Sequence, residues 1–320
     1  MTTPADLAER LRSHPSIRSK LGIAHATRVL ELTSQTAGRP GDDAAALPCD
    51  GSYDLFAGEG FIPAFIADDP WFAGWCAVMV NLSDIAAMGG RATAVIDQVW
   101  APDAEAVKPL LEGLRDASAV YGVPLVGGHT NLAAPALGLA ASVLGKAQRL
   151  ITSFDAMPGD VLIAAIDQRG AYRNFDNFCA ALEAPSDRLR ADLALLPALA
   201  EDGLVRAGKD ISQGGIVGTA LMLAECSGVG LDIDLTAITP PAGVPPERWL
   251  RSFPSFGFLL TAPAGRAQEV CQRFESRNIT AGVMGRIRSG SAVTLSDTEE
   301  TALFWDHAQT PYLDLGDHHA

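Results

Sequence analysis

The stretch that decides the fold is VNLSDIAAMGG, residues 80–90. It is predicted to end a helix, because apolar residues surround Asn81, Ser83 and Asp84 and two glycines follow. A carboxylate among apolar neighbours is costly to bury unless a cation or hydrogen-bond donors neutralise it. Asn81 and Asp84 are three residues apart and therefore share one face of a helix. Either a cation or donors meet Asp84, or the face that carries it is not buried.

The composition is that of a folded protein with an acidic surface. Of 320 residues, 48% are hydrophobic and 19% charged, which excludes a disordered chain and leaves room for two domains. The net charge is −14 without any Lys- and Arg-rich run, so nucleic acid is not an expected partner. Five separated cysteines without a Cys-x-x-Cys pair argue against a zinc site and a disulfide framework.

The N-terminal sequence is polar and lacks the apolar segment of a signal peptide. No apolar stretch reaches the roughly 18 residues that a membrane-spanning helix needs. We therefore expect a soluble, cytoplasmic protein with no membrane partner.

Helical and strand-like patterns alternate along the chain, which predicts an α/β or α+β fold. Strands are predicted at 53–62, 92–101, 136–147, 161–166 and, last, 282–287. The segment 123–131 is predicted to be a strand that leads into a glycine turn. Helices are predicted at 4–14, 22–34, 103–122, 191–202 and 264–276. The pattern restarts after residue 150, which gives one domain over 1–150, a second over 151–310 and a tail over 311–320. The segment 167–190 is predicted to be polar and mobile.

Four short segments combine glycine or asparagine with acidic residues or histidine. They are Gly41-Asp42-Asp43, Asn81 to Asp84, Gly127-Gly128-His129-Thr130 and Lys209 to Gly215. Glu59 adds a further carboxylate. Mg²⁺ takes oxygen ligands, usually one or two carboxylates with water and phosphate oxygens. Glycines let backbone N–H groups approach phosphates, especially at a helix N-terminus. This combination of carboxylates and glycines is what the chemistry of a Mg²⁺-bound triphosphate requires.

Each segment alone has a simpler interpretation. Gly-Asp-Asp is a common turn, Asp84 could be a core acid with protein partners, and Asp210 or Ser212 could cap a helix. Neither a GxxxxGK[ST] motif nor a GxGxxG motif is present, so a P-loop and a dinucleotide fingerprint are excluded.

Together and in this order, the segments resemble the AIR-synthase-like superfamily. The resemblance is carried by GDDAAAL (41–47), VNLSDIAAMGG (80–90), LVGGHT (125–130), MPGDVLIA (157–164) and KDISQGGIVG (209–218). It covers about residues 38–290, and the ordered set is specific although no single segment is. Members include aminoimidazole ribonucleotide synthetase, thiamine monophosphate kinase and selenophosphate synthetase.

The resemblance implies a two-domain fold and a nucleotide site. The N-terminal α/β domain would pair its mixed sheet with that of a second subunit, which makes a barrel across a homodimer. The C-terminal domain would be an α+β sandwich, with ATP and Mg²⁺ held between the two domains. The implied metal ligands are Asp42 and/or Asp43, Glu59, Asp84 and Asp210. The implied cofactor-binding residues are Asn81, Gly127, Gly128, His129, Lys209, Gly214 and Gly215.

Several positions depart from the named members. His129 stands where the kinases have an aspartate, and it either donates to a phosphate or is a polar turn residue. Ser255 and Phe256 stand where the kinases carry carboxylates, and the first 37 residues lack the reactive cysteine of the selenophosphate enzymes.

Two functions remain open. The first is an ATP- and Mg²⁺-dependent enzyme that transfers a phosphoryl group to a small metabolite, or drives a ligase- or synthase-type reaction on it. The second is a non-catalytic nucleotide-binding scaffold or partner protein. In the enzyme, Arg169, Tyr172, Arg173 and Asn174 would contact the acceptor, or they form an ordinary solvated loop.

Overall fold

The computed structural model describes residues 3–33, 35–173 and 175–315, which form two compact units. The five-stranded unit comprises Asp43–Leu150 and Glu183–Glu201. The seven-stranded unit comprises the described residues of Met1–Asp42, Ile151–Leu182 and Asp202–Ala320. One boundary thus falls at residue 150, but residues 3–42 pack with the second half of the chain.

The described residues contain the following α-helices and β-strands in chain order. The helices are α1 (Pro4–Ser13), α2 (Pro15–Arg18), α3 (Ile23–Val29), α4 (Pro63–Asp68), α5 (Pro70–Ala87), α6 (Ala104–Tyr121), α7 (Ser186–Leu193), α8 (Leu195–Glu201), α9 (Gly215–Ser227), α10 (Pro246–Arg251) and α11 (Ala267–Glu275). The strands are β1 (Ala45–Cys49), β2 (Ser52–Gly60), β3 (Arg91–Trp100), β4 (Leu125–Asn131), β5 (Gly138–Ala147), β6 (Asp160–Ile166), β7 (Ala171–Tyr172), β8 (Asn177–Cys179), β9 (Ala207–Asp210), β10 (Gly230–Asp234), β11 (Phe253–Pro254), β12 (Gly257–Pro263), β13 (Thr280–Arg288), β14 (Ala292–Ser296) and β15 (Thr301–Asp306).

The five-stranded unit is a mixed sheet with the order β1-β2-β5-β3-β4. Its pairs are antiparallel except β3 and β4, which run parallel. Helix α5 packs on β2, β3 and β5, and α6 packs on α5. Side chains alternate between the two faces of a strand, so Leu55 and Ala57 are buried while Phe56 between them is exposed. One face is therefore covered by helices and the other is open.

Helices α5 and α6 touch backbone to backbone. A Cβ atom at Gly74 would overlap the carbonyl of Leu110, and one at Gly113 would overlap the carbonyl of Trp71. Glycine at both positions lets the helices approach more closely than side chains allow. This contact fixes the position of α5, which carries Asp84 near its C-terminal end.

The seven-stranded unit is a mixed sheet with the order β15-β14-β10-β13-β6-β12-β9. Helix α9 packs against β9, β10 and β12, α11 packs against β6 and β13, and α1 packs against β14 and β15. A small second sheet has the order β11-β8-β7. The buried core of this unit includes Trp249, Phe304 and Tyr312.

Three predictions of secondary structure are wrong. The segment 167–190 contains β7, β8 and the first part of α7, because its short strands pair with one another and with β11 rather than forming a loop. The strand at 282–287 is followed by β14 and β15. The helix expected at 22–34 ends at Val29. Within the described part of the chain, no helix is long and apolar enough to cross a membrane.

We expect Gly113→Ala to destabilise the protein by about 1–3 kcal/mol, because the added methyl group forces α5 and α6 apart. Gly22→Ala is the control, since a Cβ at Gly22 meets nothing within 4 Å. Urea unfolding of both variants measures the difference. Equal stability of Gly113→Ala and the unaltered protein would contradict the close helix contact.

Candidate functional site

Two aspartates of the five-stranded unit lie side by side. Asp84 near the end of α5 is buried, and Asp43, two residues before β1, is half-buried. A carboxylate oxygen of Asp43 and one of Asp84 lie within 4.8 Å of each other. Two like charges at this distance repel strongly where water is scarce. Such a pair is stabilised by hydrogen-bond donors, by positive charge or by a proton on one of its members.

Asn81 presents an oxygen on the same helix face as Asp84. Its Nδ2 donates to the carbonyl of Ala77 at 2.8 Å, while its buried Oδ1 has no hydrogen-bond partner among the described residues. A buried polar atom without a partner is rare in native proteins and points to an unseen water, ion or ligand. Hard divalent cations bind carboxylate and amide oxygens. The carboxylate oxygens of Asp43 and Asp84 therefore suit a divalent cation, and Asn81 adds an amide oxygen on the helix that carries Asp84.

Glu59 and Asp97 lie in one row across the same sheet. Glu59 of β2 pairs with Ala141 of β5, and Asp97 of β3 pairs with the same alanine from the other side. Adjacent strands are about 4.8 Å apart, so about 10 Å separates the two acidic residues along the row. Paired residues extend from the same face of a sheet, so both acids flank the small side chain of Ala141.

Asp97 is an acid that sequence reasoning missed. It is 7% exposed, and no described residue other than Asp97 itself donates a hydrogen bond to its carboxylate. Burial raises the pKa of Asp97 above its ordinary value. The sequence VIDQV (95–99) does indicate a buried acid, because the period-two alternation of a strand places Asp97 on the same buried face as Val95 and Val99.

Gly127 and Gly128 lie inside strand β4, so the prediction of a glycine turn there is wrong. This strand is the edge of the sheet and pairs in parallel with β3. Gly128 is opposite Asp97, and a Cβ atom at Gly128 would lie 2.6 Å from Oδ1 of Asp97. The same Cβ would lie only 2.2 Å from the backbone carbonyl oxygen of Asp97, so the position requires glycine.

His129 lies on the open face of the sheet. It follows Gly128 in β4 and pairs with Gln98, so its side chain extends from the face opposite to that of Asp97. The residue is exposed. The position at which the kinases have an aspartate thus carries a histidine that does not share a face with Glu59 and Asp97.

In the seven-stranded unit, Asp42 is held by the segment that precedes β6. Its Oδ1 accepts hydrogen bonds from the backbone N–H of Ser153 at 2.9 Å and from the Ser153 hydroxyl at 2.6 Å. The structure therefore distinguishes two neighbouring acids that the sequence left equivalent. Asp43 lies beside Asp84, whereas Asp42 anchors the Gly41 turn to Ser153.

Lys209 is buried beside the same turn. Its Nζ lies 3.4 Å from the carbonyl oxygen of Gly41 and 3.5 Å from Oγ of Ser153. The ammonium group therefore stabilises the turn that leads into Asp43.

Asp210 is buried at the end of β9, five residues before α9 begins at Gly215. Gly214 and Gly215 have φ values of +104° and +68°, in the left-handed region that favours glycine. A Cβ atom at Gly215 would also overlap the backbone of Arg251. The N–H of Gly215 donates to the carbonyl of Ser212 at 2.9 Å, so the two glycines shape a tight turn at the start of α9.

The segment expected to contact an acceptor is largely engaged within its own unit. Arg169 binds the Asp167 carboxylate at 2.8 Å and the carbonyl of Arg277 at 3.1 Å. Tyr172 contacts the Ser252 hydroxyl, and the Arg248 guanidinium stacks on its ring at 3.6 Å. Asn174 lies outside the described residues.

Ser255 and Phe256 have structural roles. The hydroxyl of Ser255 accepts a hydrogen bond from the N–H of Ala180 at 2.8 Å, and the ring of Phe256 packs edge-on against Phe258 at 4.9 Å. Both residues thus serve the packing and hydrogen bonding of their own unit.

The fold agrees with a family comparison. The N-terminal domain of AIR synthase related proteins matches residues 41–147, and the C-terminal domain of the same family matches residues 175–297. The chain therefore belongs to the AIR synthase related family.

Curated relatives extend this comparison. The uncharacterised protein sll0787 of Synechocystis is 46% identical over 85% of this chain and 85% of its own length. The uncharacterised protein MJ0640 of Methanocaldococcus jannaschii is 34% identical over 74% of each chain. Selenide, water dikinase 2 of Peptoclostridium acidaminophilum is 30% identical over 60% of this chain and 58% of its own.

Solved structures share the fold. Thermotoga maritima PurL complexed with ADP superposes with a TM-score of 0.74 at 17% identity, over 87% of this chain and 47% of that one. This chain thus spans about half the length of PurL. AaThiL complexed with AMPPCP and TMP has a TM-score of 0.65 at 20% identity, over 88% of this chain and 94% of that one.

We expect Asp97→Asn to stabilise the metal-free protein at pH 7. A carboxyl group whose pKa is raised in the folded state favours folding below its unfolded pKa and opposes it once the folded group ionises. The melting temperature in EDTA should rise by about 2 °C at pH 7, and the gain should shrink towards pH 4. Asp54→Asn, on the same sheet beside Lys146, is the control. A gain that is equal at both pH values would contradict a buried ionised Asp97.

Proposed function

We propose that the protein binds ATP with Mg²⁺ and uses it to transfer a phosphoryl group to, or to activate, a small metabolite. The observation that carries the proposal is the Asp43–Asp84 pair, together with the unpartnered Oδ1 of Asn81 on the helix that carries Asp84. The relatives support it, since a PurL structure contains ADP, a ThiL structure contains AMPPCP, and another relative is a selenide, water dikinase.

The residues of this chain would act mainly by positioning and by charge, as in phosphoryl transfer generally. Asp43 and Asp84 would bind Mg²⁺. The side chain of Asn81 would help to orient these metal ligands. When bound, Mg²⁺ supplies the positive charge that neutralises phosphate oxygens. From the resemblance, Asp210 and Glu59 are proposed as further ligands.

Backbone groups would complete the nucleotide site. The N–H group of Gly214 would donate to a phosphate oxygen at the start of α9, and Gly215 would shape the turn, since its own N–H donates to the carbonyl of Ser212 at 2.9 Å. Lys209 would act indirectly, because its ammonium group already contacts the Gly41 turn. In this proposal the lack of side chains at Gly127 and Gly128 leaves room for the substrate beside Asp97. His129 does not contact the nucleotide or the substrate.

A scaffold without chemistry is the second candidate. It is favoured by Ser255 and Phe256, which replace the carboxylates of the kinases with core contacts. The acids at Asp43 and Asp84 weigh against it, since a scaffold has no need of a costly carboxylate pair. Calorimetry distinguishes the two functions: binding of Mg-ATP without turnover in any metabolite mixture would favour the scaffold.

We also propose that the chain forms a homodimer through the open face of the five-stranded sheet. Phe56 and Leu144 pair across β2 and β5 and are 53% and 44% exposed. Ile96 of β3 and Val126 of β4 add to the same exposed apolar surface. Contiguous apolar surface of this kind usually marks an interface. Two such faces would form the barrel that the family resemblance implies.

We expect Asp84→Asn to weaken binding of Mg-ATP at least about tenfold, which corresponds to 1.4 kcal/mol. The change removes one charge from the Asp43–Asp84 pair but preserves the shape of the side chain. Titration calorimetry measures the affinity, with Asp54→Asn as the matched control. ATP consumption in a metabolite pool should be lost in parallel. Unchanged affinity in Asp84→Asn would refute the metal assignment.

We expect Phe56→Glu to convert the dimer into a monomer, because the charge would be buried without a partner in the interface. Leu303→Glu on β15, where the leucine is 49% exposed, is the matched control and should remain dimeric. Sedimentation velocity measures both. A monomeric unaltered protein would refute this interface.

A further inference from the structure

Three consecutive residues at the end of α9 hold three separate segments of the seven-stranded unit. Glu225 binds the C-terminal segment 310–315, here called the C-terminal clasp. The thiol of Cys226 donates to the carbonyl of Gly41 at 3.5 Å. The hydroxyl of Ser227 donates to the carbonyl of Ser153 at 2.7 Å. One helical turn thus joins the clasp to the Gly41 turn and to the segment that holds Asp42.

The clasp is attached mainly through its backbone. The Glu225 carboxylate, 1% exposed, accepts hydrogen bonds from the N–H groups of Tyr312 at 2.6 Å and of Leu313 and Asp314 at 2.9 Å each. Three donors satisfy a charge that would otherwise be very costly to bury. The Tyr312 hydroxyl donates to the carbonyl of Ile17 at 2.6 Å. The clasp is therefore held both by its backbone N–H groups and by the hydroxyl group of Tyr312.

The far end of the clasp meets the Gly41 turn. Gly41 has a φ of +111°, and a Cβ atom there would overlap Cδ1 of Leu315. The Leu315 side chain thus packs directly on the backbone of Gly41. At the other end, the Tyr312 hydroxyl lies 3.7 Å from where a Cβ of Gly214 would be. The clasp therefore lies against both glycine turns that the seven-stranded unit contributes to the proposed nucleotide site.

We propose that the C-terminal clasp is a positioning element of the nucleotide site. Glu225 fixes the clasp, and Leu315 then holds the Gly41 backbone so that Asp42 stays on Ser153 and the chain enters Asp43 in one conformation. The role in nucleotide binding rests on the proposed function. The clasp and Ile17 lie outside the family matches, which span 41–147 and 175–297. The clasp thus links residues outside these matches to Glu225 and Gly41, which lie within them.

Hydrogen exchange of the full-length protein without nucleotide tests the clasp directly. We expect Leu315→Ala to accelerate amide exchange at residues 39–43 at least about tenfold, because the Gly41 turn loses its packing partner and opens locally. Glu225→Gln should do the same, since an amide cannot accept all three N–H groups. Exchange in β12, which does not contact the clasp, should stay unchanged in Leu315→Ala. Leu303→Ala on β15 is the matched control.

Binding of AMPPCP with Mg²⁺ provides the second measurement. We expect Leu315→Ala to weaken the affinity for AMPPCP about threefold to tenfold, because the affinity falls as the population with an open Gly41 turn rises. Unaltered exchange at 39–43 in Leu315→Ala would overturn the proposal, and so would accelerated exchange with full AMPPCP affinity. If the unaltered protein binds no AMPPCP, the proposed function fails, while the exchange result still decides whether the clasp holds the turn.

Discussion

The repulsion between the carboxylates of Asp43 and Asp84 is the constraint on which the site depends. The two groups approach within 4.8 Å although Asp84 is buried, so two carboxylates share a region where water is scarce. Proteins retain such arrangements mainly where a ligand supplies the opposite charge. The close contact of α5 and α6 prevents the helix from shifting to relieve the strain.

Much of the fold could be predicted because local patterns and tertiary structure agree. Helix α5 begins at Pro70 and is followed by Gly89 and Gly90, as proline and glycine preferences at helix ends require. The segment 167–190 could not be predicted, since β7 and β8 are only two and three residues long and form by pairing with distant partners. The packing of residues 3–42 on the second half of the chain is likewise a long-range effect.

The site was predictable in its parts but not in its geometry. Asp84 could be recognised from the sequence as a candidate site residue because an acidic residue in an apolar helix is unusual. The choice between Asp42 and Asp43 was not predictable, since neighbouring residues differ only in what they meet after folding. Gly128 was identified as a phosphate-binding glycine, whereas the structure shows a second reason for it, the backbone carbonyl and carboxyl groups of Asp97. Sequence spacing cannot reveal a cross-strand contact of this kind.

The backbone contact between α5 and α6 at Gly74 and Gly113 has a thermodynamic consequence. A helix held this firmly brings Asp84 to Asp43 during folding, before any cation arrives. A cation that binds only the folded chain then stabilises it by an amount that grows with the logarithm of the free cation concentration. Under the proposed function, the midpoint of unfolding would therefore report cation occupancy, and the protein would be most stable where the cation is abundant.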